Sequence, residues 1–381
     1  MDMLLTTFLW LLIFLTLFAY FGYPITLKLI LIFIRKKTTR LPITPHVSLI
    51  ITAYNEENRI RQKLDNTMQL DYPRDKLQII VASDGSTDKT HDIVNEYESR
   101  GVELFIVPDR KGKENAQAQA VKIAKGEILV FSDTATRLDP QGLKEIISNF
   151  ADPSIGCVSS EDKMISDNEN DVGGEGFYVK YEMWLRTLES QCNSVVGLSG
   201  SFFAARREVC EDFSPKMQSD FRTLLNSMKR GMRGVSDPKA IGYYQDIKDK
   251  SREFQRKVRT VLRGLTVFFN HIEFLNVFKF GLFSYQFFCH KLLRWLVPVF
   301  LLGAFIANAL LLGKSTFYSI LFFMQVAFYV TAVFGMLVPG AMKFVFIKIP
   351  SFFVIVNVSI FVAWLKFIKG ERVILWQPSV R

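Results

Sequence analysis

Val47-Ser48-Leu49-Ile50-Ile51-Thr52-Ala53 is an apolar, β-branched run that stops abruptly at Tyr54-Asn55-Glu56-Glu57. A strand buried on both faces of a parallel sheet reads as such a run, and its carboxyl end delivers the chain to a ligand crevice. Leu77–Ala82 repeats the pattern and stops at Ser83-Asp84-Gly85-Ser86-Thr87-Asp88. Val102–Val107 and Glu127–Ser132 are two further runs, and amphipathic stretches from Glu57, Thr87, Lys113 and Asp139 fill the intervals. The alternation predicts an α/β domain over 41–264 with a mostly parallel sheet covered by helices. No glycine fingerprint follows the first strand, and this block has no Gly-Lys-Ser/Thr phosphate loop. Hydride transfer and nucleoside-triphosphate hydrolysis lose ground accordingly.

The block is bracketed by apolar chain ends. Hydrophobic residues make up 49% of the chain, and much of its Phe follows Leu265. Met3 to Tyr23 is long enough to span a bilayer, and Met1-Asp2 lacks the basic start of a cleaved leader. Pro24 is expected to kink or end that helix, with Ile25–Ile34 continuing it, so 1–34 reads as a transmembrane segment. Arg35, Lys36, Lys37 and Arg40 then favour a cytoplasmic position for the domain that follows. Downstream, 265–290 mixes Phe and Leu with His271, Glu273, Asn276 and Lys279, as amphipathic interfacial helices do. Leu292–Leu312, Thr316–Val338 and Ser351–Ile368 read as spans within 291–370, followed by a tail, 371–381. Three spans would carry Lys369, Arg372 and Arg381 outside, against the positive-inside tendency, unless a segment around Pro339–Pro350 is re-entrant. The expected setting is the cell inner membrane, multi-pass, with the bilayer as a partner. The formal charge of +10 fits membrane anchoring, and no nucleic-acid partner is expected.

Cys157, Cys192, Cys210 and Cys289 are too scattered for a zinc or redox motif and read as reduced, buried thiols. The four histidines show no paired metal-ligand spacing either.

Seven short motifs carry a more specific signal. In order they are Thr52-Ala53-Tyr54-Asn55-Glu56, Ser83–Asp88, Lys111-Gly112-Lys113, Phe131–Thr136, Gly197-Leu198-Ser199-Gly200, Ser219-Asp220-Phe221 and Arg256-Lys257-Val258-Arg259. Their order and spacing resemble the family-2 inverting glycosyltransferases, and the flanking spans resemble those of hyaluronan and poly-N-acetylglucosamine synthases. The resemblance implies a GT-A fold and a nucleotide-diphospho-sugar donor, specifically a UDP-sugar. It places Ala53, Tyr54, Glu56 and Asp84 in the nucleotide pocket, with Asp84 at the uracil. It sets Lys113 and Arg256 beside the nucleotide and makes Asp133 the acid that holds Mg²⁺ or Mn²⁺ against the diphosphate. Asp220 becomes the general base, Arg259 a stabiliser of the departing diphosphate, and Ser199 and Gly200 part of the acceptor side.

Elementary chemistry agrees with this assignment. Inversion at an anomeric carbon needs a base for the acceptor hydroxyl and positive charge at the leaving group. Blander roles exist for each residue: a turn Asp before Gly85, a helix-start Lys113, a helix N-terminal Asp220, and a polybasic strip touching anionic lipid around Arg256 and Arg259. Four positions depart from the family pattern. Ala135 stands for the second acid of the metal element, Ser219 for the acid before the base, Arg256 for a glutamine, and Thr260 for a tryptophan near the acceptor. The expected activity is extension of a cell-surface polysaccharide. Transfer of one sugar to a lipid-linked, polyprenyl-phosphate acceptor is the alternative that Thr260 supports. A non-catalytic membrane subunit is the third, opposed by the presence of Asp84, Asp133, Asp220 and Arg259.

Overall fold

The computed structural model describes residues 2–165, 174–245 and 250–373; the end of the expected tail lies outside them. The chain divides into two compact units. One comprises Leu31–Asn168 and Tyr181–Lys248; the other comprises Met1–Ile30, Glu169–Lys180 and Asp249–Arg372.

Among the described residues the first unit is built on eight strands: β1 (Val47–Ala53), β2 (Leu77–Asp84), β3 (Val102–Val107), β4 (Ile128–Asp133), β5 (Arg137–Leu138), β6 (Ile155–Ile165), β7 (Phe202–Arg206) and β8 (Arg233–Gln245). They lie in the order β3-β2-β1-β4-β7-β6-β8-β5. The β3-β2-β1-β4 half is parallel, as the alternation of apolar strands with helices predicts. β7 enters antiparallel to β4 and to β6, β8 is parallel to β6, and β5 is antiparallel to β8.

Alternation divides the strand residues between two faces. Leu49, Ile51, Val81 and Val130 pack with Ile60 and Leu64 of the helix Ile60–Met68 and with Leu143 and Ile146 of Gly142–Ser148. Ile50, Ile80, Leu129 and Phe131 pack on the other face with Ala116 and Ala120 of Lys113–Ile123 and Leu224 of Ser219–Lys229. Each buried Val, Leu, Ile or Phe contributes roughly 1.5–3 kcal/mol, so the two faces together fix the register. Strand order reverses at β1, whose neighbours are β2 and β4. Crevices for ligands open at such switch points, and Asp133 pairs in register with Thr52 there.

The second unit is helical. Among the described residues four helices are long and apolar enough to cross a membrane: Asp2–Phe33, Leu282–Leu310, Thr316–Leu337 and Val345–Ile368. Large apolar side chains such as Phe14, Phe323, Met324 and Leu337 are exposed on them, as lipid contact would have it. Pro24 does not end the first helix. A π turn at Phe18–Gly22 precedes it and takes up the hydrogen-bonding defect that a proline ring imposes on the turn before it. The helix Leu282–Leu310 starts well inside 265–290, the stretch read as interfacial, and also contains a π turn, Phe288–Leu293. Around the suspected re-entrant segment, a short 3₁₀ turn at Pro339–Lys343 leads into a helix that runs on through Pro350.

Gly335 shows how closely the last two helices pack. A Cβ there would lie 2.2 Å from Ser351 Oγ and 2.6 Å from Ile347 Cγ2. Ser351 itself is buried, with Oγ donating to the Ala332 carbonyl of the neighbouring helix at 3.0 Å. Gly335→Val should therefore lower the thermal midpoint in detergent through overpacking, by roughly 1–3 kcal/mol of stability. An unchanged midpoint would mean that the two helices are not in such contact.

Candidate active site

The loops leaving β1 and β2 are stitched to each other. Asn55 adopts a left-handed φ of +50°, one an amide side chain tolerates better than most, and its Oδ1 accepts from Thr87 N at 2.8 Å. Asn55 N donates to Ser86 Oγ at 3.1 Å, Glu56 N to Thr90 Oγ1 at 2.9 Å and Glu57 N to Asp88 Oδ2 at 3.0 Å. Asp88 also accepts from Thr90 N at 3.0 Å, where the helix Thr90–Asn95 begins. These bonds hold Tyr54 at the end of β1, where the Arg110 guanidinium lies 3.9 Å from the centre of its ring.

Asp84 is fully buried. Its two carboxylate oxygens accept from Lys111 N at 2.9 Å and Gly112 N at 2.8 Å. The sequence reading set this carboxylate at the base of the nucleotide. In the structure it anchors the turn that carries Arg110 and starts the helix Lys113–Ile123. Gly112 makes that turn with φ +99°, a conformation in which a side chain would be strained.

Lys113 and Asp133 meet directly as an ion pair. Lys113 Nζ also donates to the Gly200 carbonyl at 3.0 Å. Gly200 lies against the candidate base, since a Cβ on it would sit 3.4 Å from Asp220 Oδ2. Asp220 is at the start of Ser219–Lys229, 8% exposed, and accepts from Gln218 Nε2 at 3.1 Å. Asp133, Lys113, Gly200 and Asp220, drawn from four separate sequence motifs, thus form one contiguous group.

Other expected residues take different places. Ser199 is buried; its hydroxyl donates to Asp162 Oδ1 at 2.7 Å and its N–H to Ser159 Oγ at 2.8 Å, so of the acceptor pair only Gly200 is partly accessible. Ala53 is fully buried in β1. Arg256 and Arg259 lie on the helix Lys250–Phe269 in the other compact unit, and Arg256 binds both Glu253 oxygens, at 3.0 and 3.1 Å. The three acids are therefore placed by the sheet unit alone.

Glu56 has Arg59 Nε 2.9 Å from Oε2, yet burial outweighs this pairing, with Asp133 and Asp88 adding to it, and the carboxyl is pushed up to about 7. Between the ordinary value of 4.5 and about 7 the folded protein keeps a proton that the unfolded chain has lost. Stability therefore falls as pH rises through that window. Glu56→Gln, neutral throughout, should flatten the fall in thermal midpoint between these pH values. A slope identical to that of the wild type would refute the assignment.

Three residues of this region escape a sequence reading: Arg110, Asp162 and Lys63. Lys63 is 3% exposed, and its Nζ donates to Ser132 Oγ and to the Thr136 carbonyl, each at 2.6 Å. The one available signal is its position between Ile60 and Leu64, on the inward face of an amphipathic helix.

Among the described residues no three His, Cys, Asp or Glu side chains form a metal cage. A single aspartate at a sheet edge suits a divalent ion held jointly with phosphate oxygens and water, not one held by protein alone.

Residues 48–214 match the family Glycosyl transferase family 2. A poly-β-1,6-N-acetyl-D-glucosamine synthase of Staphylococcus aureus is 26% identical over 160 residues, 40% of this chain and 38% of the synthase. The probable glycosyltransferase YdaM of Bacillus subtilis is 31% identical over 128 residues, 32% of this chain and 30% of that protein. The matched stretch thus spans well under half the length of these relatives. In overall fold the chain is similar to the mannosyltransferase PcManGT of Pyrobaculum calidifontis, solved with GDP-Man and Mn²⁺. That likeness has a TM-score of 0.76 and 22% identity, and it covers 97% of this chain and 100% of the other.

Proposed function

We propose, for a chain whose residues 48–214 form a glycosyl transferase family 2 domain, that it is an inverting, membrane-integral glycosyltransferase. It moves a sugar from a nucleotide-diphospho-sugar to a growing cell-surface polysaccharide, with the catalytic unit on the cytoplasmic side. The observation that carries this reading is the contiguity of Asp133, Lys113, Gly200 and Asp220 at the switch point of the sheet.

Tyr54 and Arg110 offer a flat, cationic face for the nucleobase. The Asp84-anchored turn holds Arg110 and Lys113 in place beside it. Asp220 accepts the proton of the acceptor hydroxyl as its oxygen attacks the anomeric carbon from the face opposite the diphosphate. Lys113, already shared between Asp133 and the Gly200 carbonyl, brings positive charge to the departing phosphates. Asp133 would hold Mg²⁺ or Mn²⁺ together with phosphate oxygens, and such an ion neutralises charge on the leaving group. Arg259 is the further cation expected to act there.

The donor is expected to be a UDP-sugar, as for an N-acetylglucosamine polymer; GDP-Man is the donor named with the mannosyltransferase that shares the fold. Purified protein should release UDP or GDP from a panel of nucleotide sugars when Mg²⁺ or Mn²⁺ is present, and a chelator should suppress the release. No release from any donor would overturn the proposal. A second reading, one sugar moved to a lipid-linked acceptor, is favoured by Thr260, where the processive pattern has tryptophan. Radiolabelled product that is wholly organic-soluble would select it.

A further inference from the structure

We propose that Lys63 is a positioning residue, shaping the Asp133 loop from the face of the sheet opposite Lys113; the inference rests on the glycosyltransferase reading above. Alternation along β4 supplies the geometry. Ile128 and Val130 pack on the face covered by Ile60 and Leu64, whereas Leu129 and Phe131 pack on the face covered by the helix that Lys113 begins. Ser132 therefore falls on the first face and Asp133 on the second. Lys113 reaches the Asp133 carboxylate from its side. Lys63 reaches through the other layer to the residues flanking that aspartate.

Its two hydrogen bonds bracket the loop. Ser132 Oγ lies just before Asp133 and the Thr136 carbonyl three residues beyond it, each 2.6 Å from the same Nζ. Other bonds complete the hold. Thr134 Oγ1 donates to the Thr52 carbonyl at 2.9 Å, Asp133 N to the Ser201 carbonyl at 3.0 Å, and Thr136 N to the Asp133 carbonyl at 3.1 Å. Among these five residues Ala135 supplies no carboxylate, so the direction of the single acid has to be set by the loop itself.

Stability alone is a poor reason for this lysine. A buried ammonium is costly to desolvate, and exchanging buried charge for a well-packed apolar side chain is often neutral or stabilising. Between Ile60 and Leu64 a methionine would serve the core as well. Lysine adds a rigid double donor behind the carboxylate. Supporting groups of this kind are worth about 10–100-fold in metal affinity at metal sites.

The test compares wild type, Lys63→Met and Ser132→Ala in the full-length, detergent-solubilised protein. Thermal midpoints are measured without metal, and UDP and GDP binding is titrated by calorimetry across a range of Mn²⁺ concentrations. Lys63→Met should keep or raise the midpoint while needing roughly 10–100-fold more Mn²⁺ for half-maximal nucleotide binding. Ser132→Ala should shift the same way by a smaller factor. Wild-type Mn²⁺ dependence in a folded Lys63→Met protein overturns the inference. Should Lys63→Met fail to fold, wild-type Mn²⁺ dependence in Ser132→Ala overturns it and a raised requirement supports it. A wild-type protein that binds neither nucleotide with Mn²⁺ removes the glycosyltransferase reading, and this inference with it.

Discussion

Asp220→Asn should reduce sugar transfer by about 10²–10⁴-fold while leaving nucleotide binding close to that of the wild type. The amide has the same shape and can still accept from Gln218 Nε2, now 3.1 Å from Asp220 Oδ2, so the start of the helix Ser219–Lys229 should persist. On the proposed role of Asp220, the variant should lose the capacity to take a proton as the acceptor oxygen attacks. The loss should therefore fall on kcat, with the donor KM little changed. Turnover equal to the wild type would dismiss Asp220 as the base. A loss matched by weaker donor binding would assign it to the donor pocket instead.

Asp133→Asn is the second large effect. The side chain is the anionic half of the pair with Lys113 and the proposed protein ligand of the divalent ion. Without its charge, stabilisation of the leaving diphosphate should drop, with a loss of about 10²–10³-fold in transfer. The remaining activity should respond only weakly to added Mn²⁺ or to chelator, in contrast to the wild type. Both responses are read in a nucleoside-diphosphate release assay. Retention of full, chelator-sensitive turnover would move the metal site elsewhere.

The parallel half of the sheet was legible because β1, β2 and β4 are buried on both sides, which writes a largely apolar run, and the edge strand β3 keeps that pattern with Glu103 turned outward. Val47–Ala53 and Val102–Val107 have the boundaries the run predicts, and β4 differs by a single residue at each end. The mixed half, β7-β6-β8-β5, was not legible. β6 continues through Ser159, Ser160, Glu161 and Asp162, and β8 contains Asp237 and Pro238, so neither shows an apolar run or a clean alternation. The same contrast holds at the site. Asp133 and Asp220 could be placed because a motif names them, and the structure joins them through Lys113 and Gly200. The engagement of Asp84 by two backbone amides and of Ser199 by Asp162 depends on loops remote in sequence, which local pattern does not encode. Lys63 is a related case: its meaning lies in what faces it across the helix layer.

The bonds that join the turns after β1 and β2 have a consequence for how the molecule exchanges its ligands. Asn55 with Thr87, Asn55 with Ser86, Glu56 with Thr90 and Glu57 with Asp88 make one continuous rim of two segments that are about thirty positions apart in the chain. Widening one turn would break bonds in the other, so this shore of the crevice is stiff. Any ligand of the proposed site would therefore enter and leave with this rim held in place.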